Sequence, residues 1–162
     1  MFCVLTTLAE QADEHPISFV GPADGYDEFL VRRLSDDRTA SVQIRIDYAL
    51  LQHDISTITN RLVWHSFSIS DHRKSVNCWI EQYTNPVSEF VWDHYREPSA
   101  NSRKWIATDG KISLRLGEPE TETGYGYAAT IIASNLTFLG ATTISLDRVS
   151  FDNVRVGWKG ID

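Results

Sequence analysis

Cysteine is scarce in this chain. There are two residues, Cys3 and Cys78, 75 positions apart in a sequence of 162. That leaves no Cys-x-x-Cys pair and no disulfide framework beyond a single arithmetically possible bridge. The first ten residues are briefly apolar but carry no basic region, and acids follow at Glu10, Asp13 and Glu14. They do not read as a signal peptide, so reduced thiols in a cytoplasmic protein are expected. Positive charge is also short: 15 Lys and Arg stand against 22 Asp and Glu, for a formal net charge of −7 and a pI near 5.1. Nucleic-acid backbones need clustered Lys and Arg, so that class of partner is excluded. The basic doublets Arg32-Arg33 and Arg73-Lys74 both have acidic neighbours and read as solvated surface. Long apolar runs are missing too, so no transmembrane helix is expected. Asn135-Leu136-Thr137 matches a glycosylation acceptor, which means nothing without secretion.

Motifs with a fixed chemistry are missing in the same way. Gly124-Tyr125-Gly126 lacks the third glycine and the helix of a dinucleotide fingerprint. No phosphate-cradling Gly-Lys-Ser/Thr loop, nucleophile elbow or His-Glu-x-x-His helix is present. Zinc needs close ligand pairs, whereas His65 and His72 are seven apart with His72 in a polar turn. His53-Asp54 and Asp93-His94 are joined to them by no recognised spacing. Glu118, Glu120 and Glu122 alternate along a polar loop that could offer oxygens to calcium, but a solvated acidic loop is the better reading. No metal and no cofactor is expected.

What the chain does have is aromatic residues and β-branched alternation. It carries five Trp, six Tyr and seven Phe. A length of 162 fits one domain, residues 1–162, that buries roughly 70% of its unfolded surface. Residues 40–49 are the cleanest strand: Val42, Ile44, Ile46 and Tyr48 alternate with Gln43, Arg45 and Asp47, the mark of a sheet with one wet face. Residues 17–20, 26–34, 104–106, 111–116 and 127–139 also read as strands. Gly21 to Gly25 reads as turn chemistry, and Asp109-Gly110 as the turn of a hairpin. In residues 142–156 the apolar phase shifts from Ile144 and Leu146 to Val149 and Phe151, then to Val154 and Val156, and each shift predicts a bulge or tight turn. Residues 5–12 and 85–95 suit short helices, the second opened by Asn85-Pro86, and residues 50–60 carry mixed signals. The expected fold is therefore all-β: a single-domain antiparallel β-barrel or jelly-roll-like β-sandwich of about eight to ten strands with one or two short helices.

The densest mix of aromatic and titratable side chains lies in residues 61–84. They read as two strands joined by the polar turn 70–75. In the first, Val63, His65, Phe67 and Ile69 share a face, opposite Leu62, Trp64, Ser66 and Ser68. In the second, Val76, Cys78, Ile80 and Gln82 oppose Trp79, Glu81 and Tyr83. A carboxylate between two rings loses water, which suits a general acid or base, although such a group also suits the rim of a sheet. His65 stands in an apolar row, where a hydrogen-bonded core histidine is the plain alternative.

The closing segment, Leu146-Asp-Arg-Val-Ser-Phe-Asp-Asn-Val-Arg-Val156, resembles the last strand of carbohydrate-binding β-sandwiches, and no residue role is carried across from that likeness. Two functions follow from the residues. The first is a small-molecule-binding barrel or sandwich with an aromatic-lined cavity, extending to a cofactor-free cyclase or isomerase acting on an apolar or amphipathic substrate. Glu81 and His65 are then its catalytic candidates, and Trp64, Trp79, Tyr83, Tyr48 and Phe67 its ligand-binding ones. The alternative is a carbohydrate-binding, lectin-like module that stacks sugars on Trp92, Tyr95, Trp105, Tyr125 and Tyr127. A third reading is an interaction protein whose aromatic patch meets a partner or a second copy of itself.

Overall fold

Period-two segments become strands here, and the strands join one sheet. The computed structural model describes residues 17–26, 29–55, 57, 62–87, 102–119 and 126–157. In chain order these form β1 (Ala23–Tyr26), β2 (Leu30–Leu34), β3 (Ala40–Ile46), α1 (Tyr48–Asp54), β4 (His65–Ser68), β5 (Val76–Gln82), β6 (Arg103–Pro119), β7 (Gly126–Leu139) and β8 (Thr143–Gly157). Every pairing is antiparallel, in the spatial order β1-β2-β3-β5-β6-β7-β8, with β4 also on β6. The far ends of that order meet. Gly25 of β1 lies so close to β8 that a Cβ there would strike the Arg155 carbonyl oxygen, and the Arg33 guanidinium donates to the Ser150 carbonyl. The sheet is a nearly closed barrel, which settles the choice left open between barrel and sandwich.

The inward faces carry the alternation that the sequence displays. Val31, Val42, Ile44, Ile46, Val76, Cys78, Ile80, Ile112, Leu114, Ala129, Ile131 and Phe151 are all buried in one apolar cluster. Burying such side chains against one another contributes about 1.5–3 kcal/mol each for the larger ones, so this interior is what holds the sheet curved. Cys78 is a free thiol within it, and burial pushes its pKa far up, so it behaves as a small apolar residue.

The pairing of residues 61–84 differs from the expected hairpin. β4 and β5 do not bond each other; both lie on the same edge of β6, one after the other. Ser68 stands opposite Lys111 and Trp79 opposite Ile106, so the ten residues 69–78 on one side face the four residues 107–110 on the other. The surplus leaves the sheet as the turn 69–75. That turn is closed internally, with His72 N–H donating to Ile69 at 3.2 Å and Val76 N–H to His72 at 2.8 Å. It is also tied to α1, where Asp47 N–H donates to Ser75 at 2.7 Å. His72 is consequently half-buried rather than exposed, with its ring edge-on to Phe67 at 5.6 Å.

Nor is β6 a hairpin at Asp109-Gly110. It runs unbroken for 17 residues and changes register against β7 between Ala107 and Lys111. Gly110 has φ +136°, and Asn135 on β7 has φ +52°. The dipeptide therefore supplies the left-handed backbone of a bulge instead of a chain reversal. Groups displaced from the ladder find side-chain partners: Arg73 donates to the Thr108 carbonyl at 2.9 Å, and Asp109 Oδ1 accepts from Gly110 N–H at 2.8 Å.

Smaller corrections share one cause, local polar groups competing with the strand pattern. Tyr48 opens α1 instead of closing β3, because Asp47 acts as N-cap and accepts from Leu50 N–H at 3.1 Å. Residues 23–25 of the expected turn form β1, paired to β2. Residues 17–20 are not a strand. The phase change late in β8 is a bulge, with Asn153 at φ +53° beside the register shift between Ala129 and Ile131. The expected helix at residues 5–12 and most of that at 85–95 lie outside the described residues, as does the middle of the loop that carries Glu120 and Glu122. Among the described residues no helix is long and apolar enough to cross a membrane.

A Cβ at Gly110 would sit 2.5 Å from Leu136 Cδ2 and 3.2 Å from Leu136 Cα. Gly110→Ala should therefore lower the unfolding free energy by about 1–3 kcal/mol. The measurement is a urea melt whose midpoint falls while its slope is unchanged. A midpoint equal to the parent's would show that the bend does not need a bare backbone.

Candidate functional site

The outer face of β2, β3 and β5 should be wet, yet part of it is buried. Cross-strand register places Leu34, Ser41, Glu81 and Lys104 in one row and Arg32, Gln43, Trp79 and Ile106 in the next. Leu34, Ser41, Gln43 and Glu81 are all buried, Glu81 at 7% exposure, although they face away from the barrel interior. Lys104 and Ile106 on β6 stay exposed and mark the margin of the covered patch.

Within the patch the polar groups form a chain. Gln43 Nε2 donates to Glu81 Oε2 at 3.0 Å and to Ser41 Oγ at 3.0 Å, which uses both of its amide hydrogens. Ser41 Oγ shares a hydrogen bond of 2.7 Å with the Tyr83 hydroxyl. The Arg32 guanidinium lies within hydrogen-bonding reach of the same phenol. Glu81 Oε1 is buried and, among the described residues, has no hydrogen-bond partner. Beside it, the Lys104 ammonium lies over the Trp79 ring, 4.6 Å from its centroid. Burial pushes the Tyr83 phenol above its ordinary value, with the Glu81 charge adding to the rise and the Ser41 and Arg32 bonds opposing it. Tyr83 therefore stays neutral through the physiological range and can donate.

The other candidates lie elsewhere. His65 is half-buried on β4 opposite Leu114, ten residues along β6 from Lys104, the partner of Glu81. That is about 30 Å of strand. The two titratable candidates therefore do not share a pocket. Phe67 and Tyr48 belong to the barrel core. Trp64 is 42% exposed, with the Arg115 guanidinium over its ring at 5.3 Å. Only Glu81, Trp79 and Tyr83 come together. Of the aromatics weighed for sugar stacking, Trp105 and Tyr127 are buried, and Trp92, Tyr95 and Tyr125 lie outside the described residues.

Ser41, Gln43, Arg32 and Lys104 were not among the sequence candidates. One signal for them was present: Leu30 and Leu34 share a face with Arg32, whereas Val31 takes the other, so β2 is apolar on both sides. A strand apolar on both sides is covered on both.

Two further features complete the surface. A groove of about 270 Å³ runs between Ile17, Phe19 and the Ile144 to Arg148 part of β8, and none of the candidates above lines it. His53 and His72 approach Asp54 at 3.5 and 3.6 Å, but among the described residues no group of His, Cys, Asp and Glu is arranged to hold a metal ion. Comparison with known proteins adds no relative to this geometry: no family model, curated protein or solved structure matches the chain.

The raised Tyr83 pKa fixes the sign of a pH effect. The folded state holds the phenolic proton more tightly than the unfolded chain, so its contribution is fully present below the ordinary phenol value of 10.0 and is lost as pH rises through the folded value. Stability measured by urea melts should fall above pH 10, and Tyr83→Phe should flatten that fall. An identical alkaline slope in the two proteins would count against a buried phenol.

Proposed function

We propose that this barrel binds a small organic molecule at the covered patch on its outer face and that Glu81 acts there as a general base. The observation that carries the reading is the unpartnered Oε1 of a carboxylate that is otherwise buried and held. A buried acceptor without a donor costs about 1–3 kcal/mol, a cost that a bound donor removes. Gln43 fixes the far oxygen, so the free one has a set direction. Trp79 supplies a flat apolar wall on the same strand face. Tyr83, kept neutral, is the matching acid.

Chemically, this set suits a cofactor-free proton transfer of the isomerase or cyclase kind. Oε1 takes a proton from an acidic C–H or O–H of the substrate, and a neutral phenol steadies the negative charge that develops. Positioning and exclusion of water supply the rest. Support for the lectin-like alternative is weaker, because Trp105 and Tyr127 present no stacking face.

The test is a screen of small amphipathic compounds for thermal stabilisation. A ligand at one hundred times its Kd adds about 2.7 kcal/mol. Compounds that stabilise the parent should lose the effect in Glu81→Gln and keep it in His65→Ala. For bound ketones, NMR in heavy water should show deuterium entering the position next to the carbonyl with the parent only. Stabilisation that survives in Glu81→Gln but disappears in His65→Ala would move the site to β4.

A further inference from the structure

The chemistry around Glu81 narrows the class of molecule. Its free oxygen can only accept while the carboxylate is ionised, so the missing partner is a donor. Charged donors make the shorter and stronger bonds to a carboxylate. The neighbouring surface already holds a cation: Lys104, directly opposite Glu81 in the ladder, places its ammonium over the Trp79 ring. Lys104 is exposed, and its four-carbon stem is free to swing away. Arg32 lies at the other end of the polar chain, where it bonds Tyr83. An anionic ligand would meet the buried carboxylate head-on.

We infer that the patch takes an organic ammonium. Its N–H bonds fill Glu81 Oε1 and its apolar body lies along Trp79, in the place the Lys104 side chain now covers. The inference rests on the small-molecule binding read above, not on the proton-transfer step at Oε1, which a bound ammonium would replace, and it adds the sign of the charge. Lys104 is then a built-in competitor, an internal ammonium that a ligand must displace. Its removal should raise affinity for a cation, the opposite of what loss of a contact residue does.

Three probes of one shape separate the possibilities: phenethylamine, 2-phenylethanol and 3-phenylpropionate, titrated into the full-length protein by calorimetry and by the Trp79 indole NMR signal. Phenethylamine should bind tightest. Glu81→Gln should weaken it by about tenfold or more. Lys104→Met should tighten it by about threefold. The amine assignment is overturned if phenethylamine leaves the Trp79 signal unmoved at millimolar concentration. It is also overturned if the amine binds no better than the alcohol, or if Lys104→Met weakens it. Should the alcohol bind and lose affinity in Glu81→Gln while the amine does not bind, the charge assignment fails and the small-molecule reading stands. A folded Glu81→Asp variant that keeps the preference for the amine separates the role of charge from that of packing.

Discussion

One strand has to satisfy two neighbours on the same edge, and the barrel is shaped by that demand. β6 is bonded to β7 along most of its length, while its other edge carries β5 and then β4. A straight strand of 17 residues would carry those neighbours far apart and leave the interior open. The bulge at Gly110, answered by Asn135 on β7, bends β6 where one neighbour gives way to the next. The turn 69–75 leaves the sheet beside it, where Ile69 N–H donates to the Gly110 carbonyl at 2.9 Å. The bend and the departing turn therefore stabilise each other: Arg73 of the turn satisfies the Thr108 carbonyl that the bend displaces.

That arrangement fixes what lies on either side of the sheet. Inside, β-branched and aromatic side chains fill the barrel in the usual way. Outside, Ser41, Gln43, Glu81 and Tyr83 make a polar row under cover, which a fold seeking stability alone would replace with apolar residues. Polar groups removed from water are tolerated when each finds a partner, and here one oxygen does not. That unmet acceptor belongs to the carboxylate of the polar chain, whose other oxygen Gln43 holds.

How far the residues announced all this depends on the range of the interaction. Val42, Ile44 and Ile46 declare a strand and its inner face through their spacing alone, and the antiparallel all-β class follows from several such segments. Pairing is set by contacts far apart in sequence, and there the reading of residues 61–84 as a hairpin went astray: two strands joined by a turn look the same whether they bond each other or share a third. Asp109-Gly110 is ambiguous for a related reason. The dipeptide reports a left-handed backbone, and that conformation serves a bulge as well as a reversal. Glu81 with its flanking rings stood out locally, whereas Gln43 and Ser41 became its partners only through the register of β3. His65 looked equally promising, and nothing within its own strand could show how far along β6 it would fall.

Closure of the barrel differs in kind from its interior pairing. β1 touches β8 at the bare backbone of Gly25 and β2 reaches it through the Arg33 guanidinium, without a ladder between β1 and β8 among the described residues. Every other junction shares many amide bonds that must break together, whereas this one can part a contact at a time. The cylinder thus has a zip. Slow exchange of backbone protons would begin there, pulling on the ends would open it there, and a transient opening would bare the C-terminal half of β8 to whatever strand happened to be near.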